Sequence, residues 1–255
     1  MTVSYTVVLV EDEQLVCQEI AITTPWADLG LELVATCADG IEGERTILEL
    51  QPDVVITDIR LPGQDGLSML EKCAVSHAVI LSGYTDFSYT RSAIRLGVFD
   101  YLQKPIDSRQ FHETLSCLVE KMRQEDQEIE RLKTSDPELI ALPRSVENHV
   151  INSVISFIAA NYSRPVGLQE AAQYLELSES HLSRLFKEET GLNFLQYLNA
   201  WRVNKAAQLM KDPRKNISQI AAECGFPSPG YFAKIFRRFS GQTPSSFRDH
   251  MSVES

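Results

Sequence analysis

The sequence predicts an α/β domain with a parallel sheet, followed by a second domain made only of helices. In the first half, short apolar runs alternate with amphipathic stretches, a pattern typical of βαβ units. Beyond residue 144 the strand patterns vanish and only helical periodicity remains. A chain of 255 residues is also long enough for two domains of ordinary size.

Five strands, each followed by a helix, are predicted in the first domain. The strands are short apolar runs at Thr6–Val10, Leu31–Thr36, Val54–Thr57, Val79–Leu81 and Val98–Leu102. The helices are amphipathic stretches at Gln14–Thr23, Ile41–Leu50, Gly66–Ala74, Asp86–Leu96 and from Ser108 onward. Units of this length imply a parallel sheet covered by helices on both faces.

The helix that begins at Ser108 is predicted to be long, because neither glycine nor proline occurs before Thr134. Apolar residues recur along it at spacings near three and four, with an interruption at Glu125. The stripe consists of Leu115, Leu118, Met122, Ile129 and Leu132. Heavily charged surroundings favour a solvent-exposed helix over the alternative, a coiled coil.

Two helix breakers and the distribution of charge predict how the chain divides. Asp136-Pro137 and Leu142-Pro143 each end helical structure. Residues 1–123 carry 19 acids and 9 bases, residues 124–144 carry 6 acids and 3 bases, and residues 145–255 carry 10 acids and 12 bases. Parts of different charge suggest different partners. We expect a first domain at 1–122, a helical linker at 123–144 and a second domain at 145–255.

Seven helices are predicted in the second domain. They cover residues 146–161, 168–176, 179–189, 193–211, 217–224, 229–239 and 244–250. Two segments share one plan, which is a short helix, a tight turn and then a basic helix. The plan repeats an architecture rather than a sequence.

Composition argues against a membrane protein and against a secreted, disulfide-bonded one. No apolar run approaches the roughly 20 residues that cross a bilayer, so no membrane insertion is expected. The five cysteines are scattered and form neither a CxxC motif nor a Cys/His cluster. That pattern predicts small buried side chains in a reducing cytoplasm, rather than disulfides or a zinc site.

Charged and hydroxyl side chains follow four of the predicted strands. Glu11 and Asp12 follow the first strand, Asp58 the third, Ser82 the fourth and Lys104 the fifth. Ligands of an open α/β sheet bind at these strand ends, and a strand order of 2-1-3-4-5 would bring the three acids together. Clustered carboxylates repel one another unless a cation lies among them, and an oxygen-only ligand set suits Mg²⁺. A carboxylate beside such a cation can attack a phosphoryl group and form an aspartyl phosphate, which an ammonium and a hydroxyl can position.

The first domain resembles the CheY-like receiver domain over about residues 4–122. The resemblance is carried by VLVEDE at 8–13, VVITDIRLPGQDG at 54–66, LSGYTD at 81–86 and DYLQKP at 100–105. It implies a flavodoxin-like, five-stranded parallel sheet of order 2-1-3-4-5.

The resemblance also implies a role for each matching residue. Asp58 is then the phosphoacceptor, and Glu11 and Asp12 help it to bind Mg²⁺. Lys104 contacts the phosphoryl group, and its bond to Pro105 matches a Lys-Pro bond that is usually cis in the family. Ser82 and Tyr101 are the switch residues, although Tyr101 has an alternative interpretation as an ordinary strand aromatic. Glu11 stands where aspartate is commoner.

Two segments of the second domain fit helix-turn-helix units, in which the second helix enters the major groove of DNA. In residues 168–189, Ser178 is the predicted N-cap, and His181, Arg184 and Lys187 share one face. In residues 217–239, Ser228 is the N-cap and Pro229 the first helical residue. The basic face of this second helix is predicted to consist of Lys234, Arg237 and Arg238. Lysine and arginine side chains on a single helix usually contact only solvent. Two units with such a helix favour DNA binding.

Residues 146–248 resemble the AraC-type DNA-binding domain. The resemblance is carried by LSESHLSRLFKEETGLNFLQYLNAWRVNKAAQLM and ISQIAAECGFPSPGYFAKIFRRFSGQTPSSFR. It implies that two recognition helices enter successive major grooves on one side of the duplex. The DNA-contacting residues that it implies are Ser180, His181, Ser183, Arg184, Lys187, Gly230, Tyr231, Lys234 and Arg237. Arg202 in the connecting helix is expected to be structural, and Gly230 stands where serine is common.

Together the two resemblances imply a two-component response regulator with AraC-type output, similar to the YesN-like group. A sensor histidine kinase would phosphorylate Asp58, and the regulator would then bind double-stranded promoter DNA and act on RNA polymerase, with activation the commoner mode. No enzymatic activity is expected beyond phosphorylation and dephosphorylation of Asp58. Phosphorylation is expected to favour a homodimer in the cytoplasm. The predicted dimer surface consists of Arg91, Arg95, Asp100 and Asp107.

Two alternatives stay open at this point. An enzyme would turn over phosphate on an external substrate, although the short βα loops offer no substrate-binding insertion or lid. An AraC-type regulator with a vestigial receiver would act without phosphorylation, although the complete set of acids, hydroxyl and lysine argues against it.

Overall fold

The computed structural model describes residues 4–73, 75, 77–83, 93, 96, 98–133 and 139–253. The helix predicted at Asp86–Leu96 falls mostly outside these residues, as do Arg91 and Arg95. The chain forms two compact units, residues 1–124 and 125–255.

The first unit is built on a five-stranded parallel sheet of order β2-β1-β3-β4-β5. The strands are β1 Tyr5–Val10, β2 Leu31–Cys37, β3 Val54–Asp58, β4 Ala78–Ser82 and β5 Asp100–Gln103. Every residue of β3 and β4 is buried, as expected for central strands that are covered on both faces. The predicted fold class and strand order are confirmed.

Helices bury an apolar layer on each face of this sheet. Alternate residues of β1 point to opposite faces, so Val7 and Leu9 join one buried cluster while Val8 and Val10 join the other. The described helices of this unit are α1 Gln14–Thr23, α2 Gly40–Leu50, α3 Gly66–Cys73 and the first part of α4 Ser108–Leu132.

The long helix α4 is present as predicted, but it is not solvent-exposed along its length. Leu115, Leu118 and Met122 are buried in the core of the first unit, and Ile129 is buried in the core of the second. The helix is exposed only along its charged side, because the apolar stripe packs inside each unit.

The chain that follows α4 is tied to the second unit by hydrogen bonds. The side chain of Asn204 accepts from the N–H of Ile140 at 3.1 Å and donates to its carbonyl at 2.8 Å. Ala141 N–H donates to Leu132 O at 2.9 Å. The described part of the predicted linker therefore packs with the helical unit.

The second unit contains a helix in each of the seven predicted segments. They are α5 His149–Asn161, α6 Leu168–Tyr174, α7 Glu179–Thr190, α8 Phe194–Leu209, α9 Ile217–Glu223, α10 Pro229–Ser240 and α11 Pro244–Val253. Two buried clusters fill this unit, and α8 contributes Tyr197 to one and Val203 to the other. The central helix thus joins the α6–α7 pair to the α9–α10 pair.

The helices α7 and α10 have the same length and equivalent ends. Ser178 caps α7 by accepting from His181 N–H at 3.4 Å, and Ser228 caps α10 by accepting from Tyr231 N–H at 3.1 Å. Each helix has 12 residues and is followed by a glycine at positive φ, with φ of 75° at Gly191 and 81° at Gly241. Both predicted serine caps are confirmed.

Arg202 of α8 is a structural residue, as predicted. Its side chain is 5 % exposed and donates from Nε to Tyr162 O at 2.8 Å and from Nη2 to Arg164 O at 3.0 Å. Burial lowers the pKa of this guanidinium. These bonds hold the chain after α5 against α8.

The cysteines are free thiols, and their burial only partly follows the prediction. Cys37, Cys73 and Cys224 are buried, but Cys17 is half-buried and Cys117 is exposed on α4. The prediction was wrong for Cys117, because its position on the helix faces away from the apolar stripe. In the part of the chain that is described, no helix has the length and apolarity of a membrane span.

A close backbone approach fixes how α3 begins beside the end of β3. Gly66 N–H donates to Ile59 O at 2.8 Å. A Cβ atom at this position would lie 2.1 Å from the backbone oxygen of Asp58, so the contact requires glycine.

We predict that Gly66→Ala lowers the free energy of unfolding by about 1–3 kcal/mol or more, because overpacking must displace the backbone at Asp58. Gly83→Ala is the matched control, since a Cβ there meets nothing within 4 Å. Urea unfolding of the full-length chain, followed by circular dichroism, would compare the two variants. Equal midpoints for Gly66→Ala and Gly83→Ala would contradict the close-approach argument.

Candidate functional site

The ends of β1 and β3 and the residue after β5 bring three charged side chains into contact. Lys104 Nζ lies 2.6 Å from Asp58 Oδ2 and 2.7 Å from Glu11 Oε1. The three side chains are mostly or wholly buried, with 12 % of Lys104, 10 % of Asp58 and none of Glu11 exposed. Three of the predicted site residues therefore form one ionic cluster.

The register of the parallel sheet explains why these residues meet. Val10 pairs with Thr57, and Asp58 pairs with Leu81, so the polar residues that end each strand lie at one edge. The backbone N–H of Lys104 donates to Ser82 O at 2.8 Å, and the Lys104-Pro105 peptide bond is cis, as predicted.

The two predicted switch residues lie on neighbouring strands. Ser82 ends β4 and is 1 % exposed. Tyr101 pairs in register with Ile80, is half-buried and packs against the cluster that contains Met69 and Ile80. Tyr101 therefore lies on the face of the sheet that this cluster covers, and Ser82, two residues after Ile80 on β4, points to the same face.

Electrostatic compensation holds the cluster together. Burial alone would lower the pKa of Lys104, but hydrogen bonds to Asp58 and Glu11 outweigh it and hold the pKa above its ordinary value. Burial raises the pKa of Glu11, and the contact with Lys104 counteracts this effect. The ammonium group therefore stays charged at neutral pH and neutralises neighbouring carboxylates.

The acids of this edge form a donor set that fits a hard divalent cation. Glu11, Asp12 and Asp58 place one carboxylate oxygen each within 4.8 Å of one another. Glu11 Oε2 is buried without a hydrogen-bond partner, which is unfavourable for a carboxylate unless a cation compensates it. Asp12 is exposed and leaves the cluster open to solvent, which suits an ion that keeps part of its hydration shell. The residues present fit Mg²⁺.

Two further contacts at this edge were not predicted. Glu13 Oε1 lies 3.2 Å from Lys104 Nζ, so a third carboxylate contacts the ammonium. The backbone N–H of Arg60 donates to Asp58 Oδ1 at 3.1 Å. The run Glu-Asp-Glu after β1 could have indicated that Glu13 lies near the site. The sequence alone does not show which of these acids contacts Lys104.

The described residues of the predicted dimer surface make local contacts. Asp100 Oδ2 accepts from Thr114 Oγ1 at 3.0 Å. Asp107 Oδ1 accepts from Gln110 N–H at 2.8 Å in the first turn of α4. The two arginines predicted with them lie outside the described residues.

The predicted DNA-contacting residues of α7 are all exposed. They are Ser180, His181, Ser183, Arg184 and Lys187. On α10, Gly230 and Arg237 are exposed and Lys234 is half-buried. Since α7 and α10 have equivalent ends, Arg184 and Lys234 both occupy the sixth position of their helix.

Tyr231 and Arg238 depart from the predicted exposed face of α10. Tyr231 is 8 % exposed, packs against Phe226, and its hydroxyl accepts from Asn199 Nδ2 at 3.3 Å, which makes it a core residue. Arg238 is 24 % exposed and pairs through Nε with Asp126 Oδ1 of α4 at 2.6 Å. Helical spacing predicted Arg238 on the basic face, and the resemblance implied Tyr231 as a DNA contact. The packing of neighbouring elements decides the environment of both.

Comparisons with known proteins agree with this geometry. The model of the response regulator receiver domain matches residues 7–116, and that of a helix-turn-helix domain matches residues 171–250. The transcriptional regulatory protein HptR of Staphylococcus aureus strain N315 is 30 % identical over 247 residues, which cover 95 % of this chain and 98 % of HptR. An uncharacterized response regulatory protein of Staphylococcus epidermidis is 29 % identical over 252 residues, with 95 % and 98 % covered.

A solved receiver domain is similar to part of this chain. The receiver domain of AraT, a response regulator from Geobacillus stearothermophilus, is 34 % identical, with a TM-score of 0.45. It covers 49 % of this chain and 98 % of its own.

The two domain matches cover separate units, and the similarity to HptR extends along nearly the whole of both chains. The structure has the same order, with a five-stranded parallel sheet first and two helix-turn-helix units after it. The chain belongs to the response regulators that join a receiver domain to an AraC-type helix-turn-helix domain.

Proposed function

We propose that a sensor histidine kinase phosphorylates this transcription regulator on Asp58 and thereby controls its binding to promoter DNA. The observation that carries the proposal is the contact of Asp58 with Lys104 at 2.6 Å, beside the carboxylates of Glu11 and Asp12. A nucleophilic carboxylate, an ammonium and a cation-binding acid pair are the groups that phosphoryl transfer to aspartate needs.

In the proposed reaction, a carboxylate oxygen of Asp58 attacks the phosphorus of a phosphohistidine. The new O–P bond forms as the N–P bond breaks, and the imidazole leaves with the electron pair of that bond. The product is an acyl phosphate on Asp58. Lys104 would contact the phosphoryl oxygens. The support is that its ammonium lies against Asp58 and stays charged at neutral pH.

Glu11, Asp12 and Asp58 would hold Mg²⁺ in this reaction, and the ion when bound supplies positive charge where the phosphoryl group arrives. Ser82 is placed at the end of β4, next to β3, where its hydroxyl would donate to the product phosphate. Tyr101, on the neighbouring strand β5, is the residue that we expect to change its position in response.

The complete set of groups favours a competent receiver over a vestigial one. Asp58 lies within one cluster with Glu11 and Asp12, and Lys104 contacts it directly. A vestigial receiver controlled without phosphorylation remains the alternative, and it predicts that phosphoryl donors leave the protein unlabelled.

For DNA binding, we propose that α7 and α10 are the recognition helices. The support is their equivalent structure and the exposed polar residues along α7. The contacts would come from Ser180, His181, Ser183, Arg184, Lys187, Gly230, Lys234 and Arg237. Tyr231 would support them from the core through its bond with Asn199.

We also propose that the phosphorylated protein acts as a homodimer in the cytoplasm and activates transcription by RNA polymerase. Residues 145–255 carry 10 acids and 12 bases, so the attraction of one copy to DNA phosphates is modest. Two copies on adjacent half-sites would raise the effective concentration of the second. Asp100 and Asp107, together with Arg91 and Arg95, form the proposed dimer surface.

We predict that Asp58→Asn abolishes labelling by acetyl phosphate in the presence of Mg²⁺ and leaves the fold intact. The amide keeps the shape of the side chain but lacks the nucleophilic carboxylate oxygen. Intact-mass spectrometry would detect the addition of one phosphoryl group to the wild-type protein, with circular dichroism as the control for folding. Equal labelling of both proteins would sink the assignment of Asp58.

We predict that Arg184→Ala and Lys234→Ala each weaken binding to a selected promoter fragment by about 1–3 kcal/mol if the side chains contact bases. Contact with phosphates would instead weaken binding to all sequences similarly and lower the salt slope by about one. Titration of the promoter fragment and a scrambled duplex at several salt concentrations separates these cases. Unchanged binding by both variants would contradict the assignment of the recognition helices.

A further inference from the structure

The C-terminal part of α4 carries three acidic residues. They form ion pairs with a lysine of one helix-turn-helix unit and an arginine of the other. Glu128 Oε1 lies 3.2 Å from Lys187 Nζ of α7. Asp126 Oδ1 lies 2.6 Å from Arg238 Nε of α10, and Glu125 Oε2 lies 3.5 Å from Arg238 Nη2. We call Glu125, Asp126 and Glu128 the acidic clamp.

The core of the second unit holds this part of α4 in place. Ile129 follows the clamp directly, is 1 % exposed, and belongs to the cluster that contains Phe232 and Phe236 of α10. Leu132 packs against the same cluster and against the one that contains Phe186 of α7. The clamp is therefore anchored by burial of its own helix and does not depend on ion pairing alone.

The two ends of the clamp differ in their exposure. Glu125 is 7 % exposed and Arg238 is 24 % exposed, so their contact is sheltered from water. The side chain of Lys187 is 52 % exposed, and its partner Glu128 is 26 % exposed. Exposed ion pairs are weak, so another anion can displace Glu128 from Lys187 more easily than Asp126 from Arg238.

We propose that the acidic clamp is a built-in competitor of DNA, in which Glu128 occupies Lys187 and must be displaced before a DNA phosphate can bind there. Arg238 serves as the anchor that keeps the clamp beside the recognition helices. The inference rests on the proposed DNA-binding face of α7, and it adds a residue outside that face that lowers DNA affinity. The phosphates of duplex DNA are the anions that compete with Glu128.

The clamp has two consequences for DNA binding. Glu128 lowers affinity, because its negative charge repels DNA and because its ion pair must break. Glu128 also keeps the Lys187 ammonium from neutralising a DNA phosphate, so one fewer contact releases counterions. The affinity for DNA therefore falls less steeply with salt than it would if Lys187 were unpaired from Glu128. Both effects are independent of DNA sequence.

The test measures binding of the full-length chain to a fluorescent random-sequence duplex by anisotropy, over a series of salt concentrations. Glu128→Gln is expected to tighten binding about threefold at low salt and to steepen the logarithmic salt slope by roughly 0.9, the value for one additional phosphate contact. Glu130→Gln is the matched control, because it removes the same charge from the same helix but its partner is Lys133. The control is expected to change affinity less and to leave the slope unaltered.

A second comparison isolates the pair itself. In a Lys187→Gln background, Glu128→Gln is expected to lose most of its effect, because the cation that it frees is absent. Equal gains from Glu128→Gln and Glu130→Gln would overturn the clamp and leave only general repulsion. Weaker binding by Glu128→Gln would overturn it too, since the pair would then support the DNA-binding conformation. In the Glu128→Gln background, unchanged binding on adding Lys187→Gln would overturn both the clamp and the DNA face at Lys187. Weakened binding on adding Lys187→Gln, with no change from Glu128→Gln alone, would overturn the clamp alone.

Discussion

The contact of the Lys104 ammonium with the carboxylates of Asp58 and Glu11 is the interaction on which the candidate site depends. These groups come from positions far apart in the sequence, and each would be unfavourable at its level of burial without the others. Parallel pairing of β1, β3, β4 and β5 brings them to one edge of the sheet. The fold therefore creates the site, and the close approach at Gly66 holds the backbone of Asp58 in position.

Most of the fold could be predicted because its signals are local and periodic. The strand order was implied by the resemblance to the receiver domain. Ser178 and Ser228 mark two helix starts by their own side chains. Glu11, Asp58 and Lys104 were also predictable, since residues at the ends of neighbouring parallel strands converge.

The parts that could not be predicted depend on which elements pack together. His181 and Tyr231 occupy the third position of equivalent helices, yet His181 is exposed while Tyr231 is buried against Phe226. Glu125 interrupts the apolar stripe of α4 and looked like a break in packing. Its partner Arg238 lies more than a hundred residues away in the chain, and only the folded unit reveals that the two charges meet. The part of α4 from residue 125 onward, predicted to be a linker, therefore belongs to the helical unit.

The central claim is that filling the phosphoryl position beside Asp58 changes the assembly and the DNA affinity of the protein. The most direct measurement records molar mass by light scattering and DNA affinity by anisotropy on the same samples, with and without beryllofluoride, a mimic of the phosphoryl group. We expect the mass of the wild-type protein to rise toward that of a dimer and its DNA affinity to increase, with neither change in Asp58→Asn. If mass and affinity of the wild-type protein both stay constant, or if Asp58→Asn responds equally, the account is contradicted.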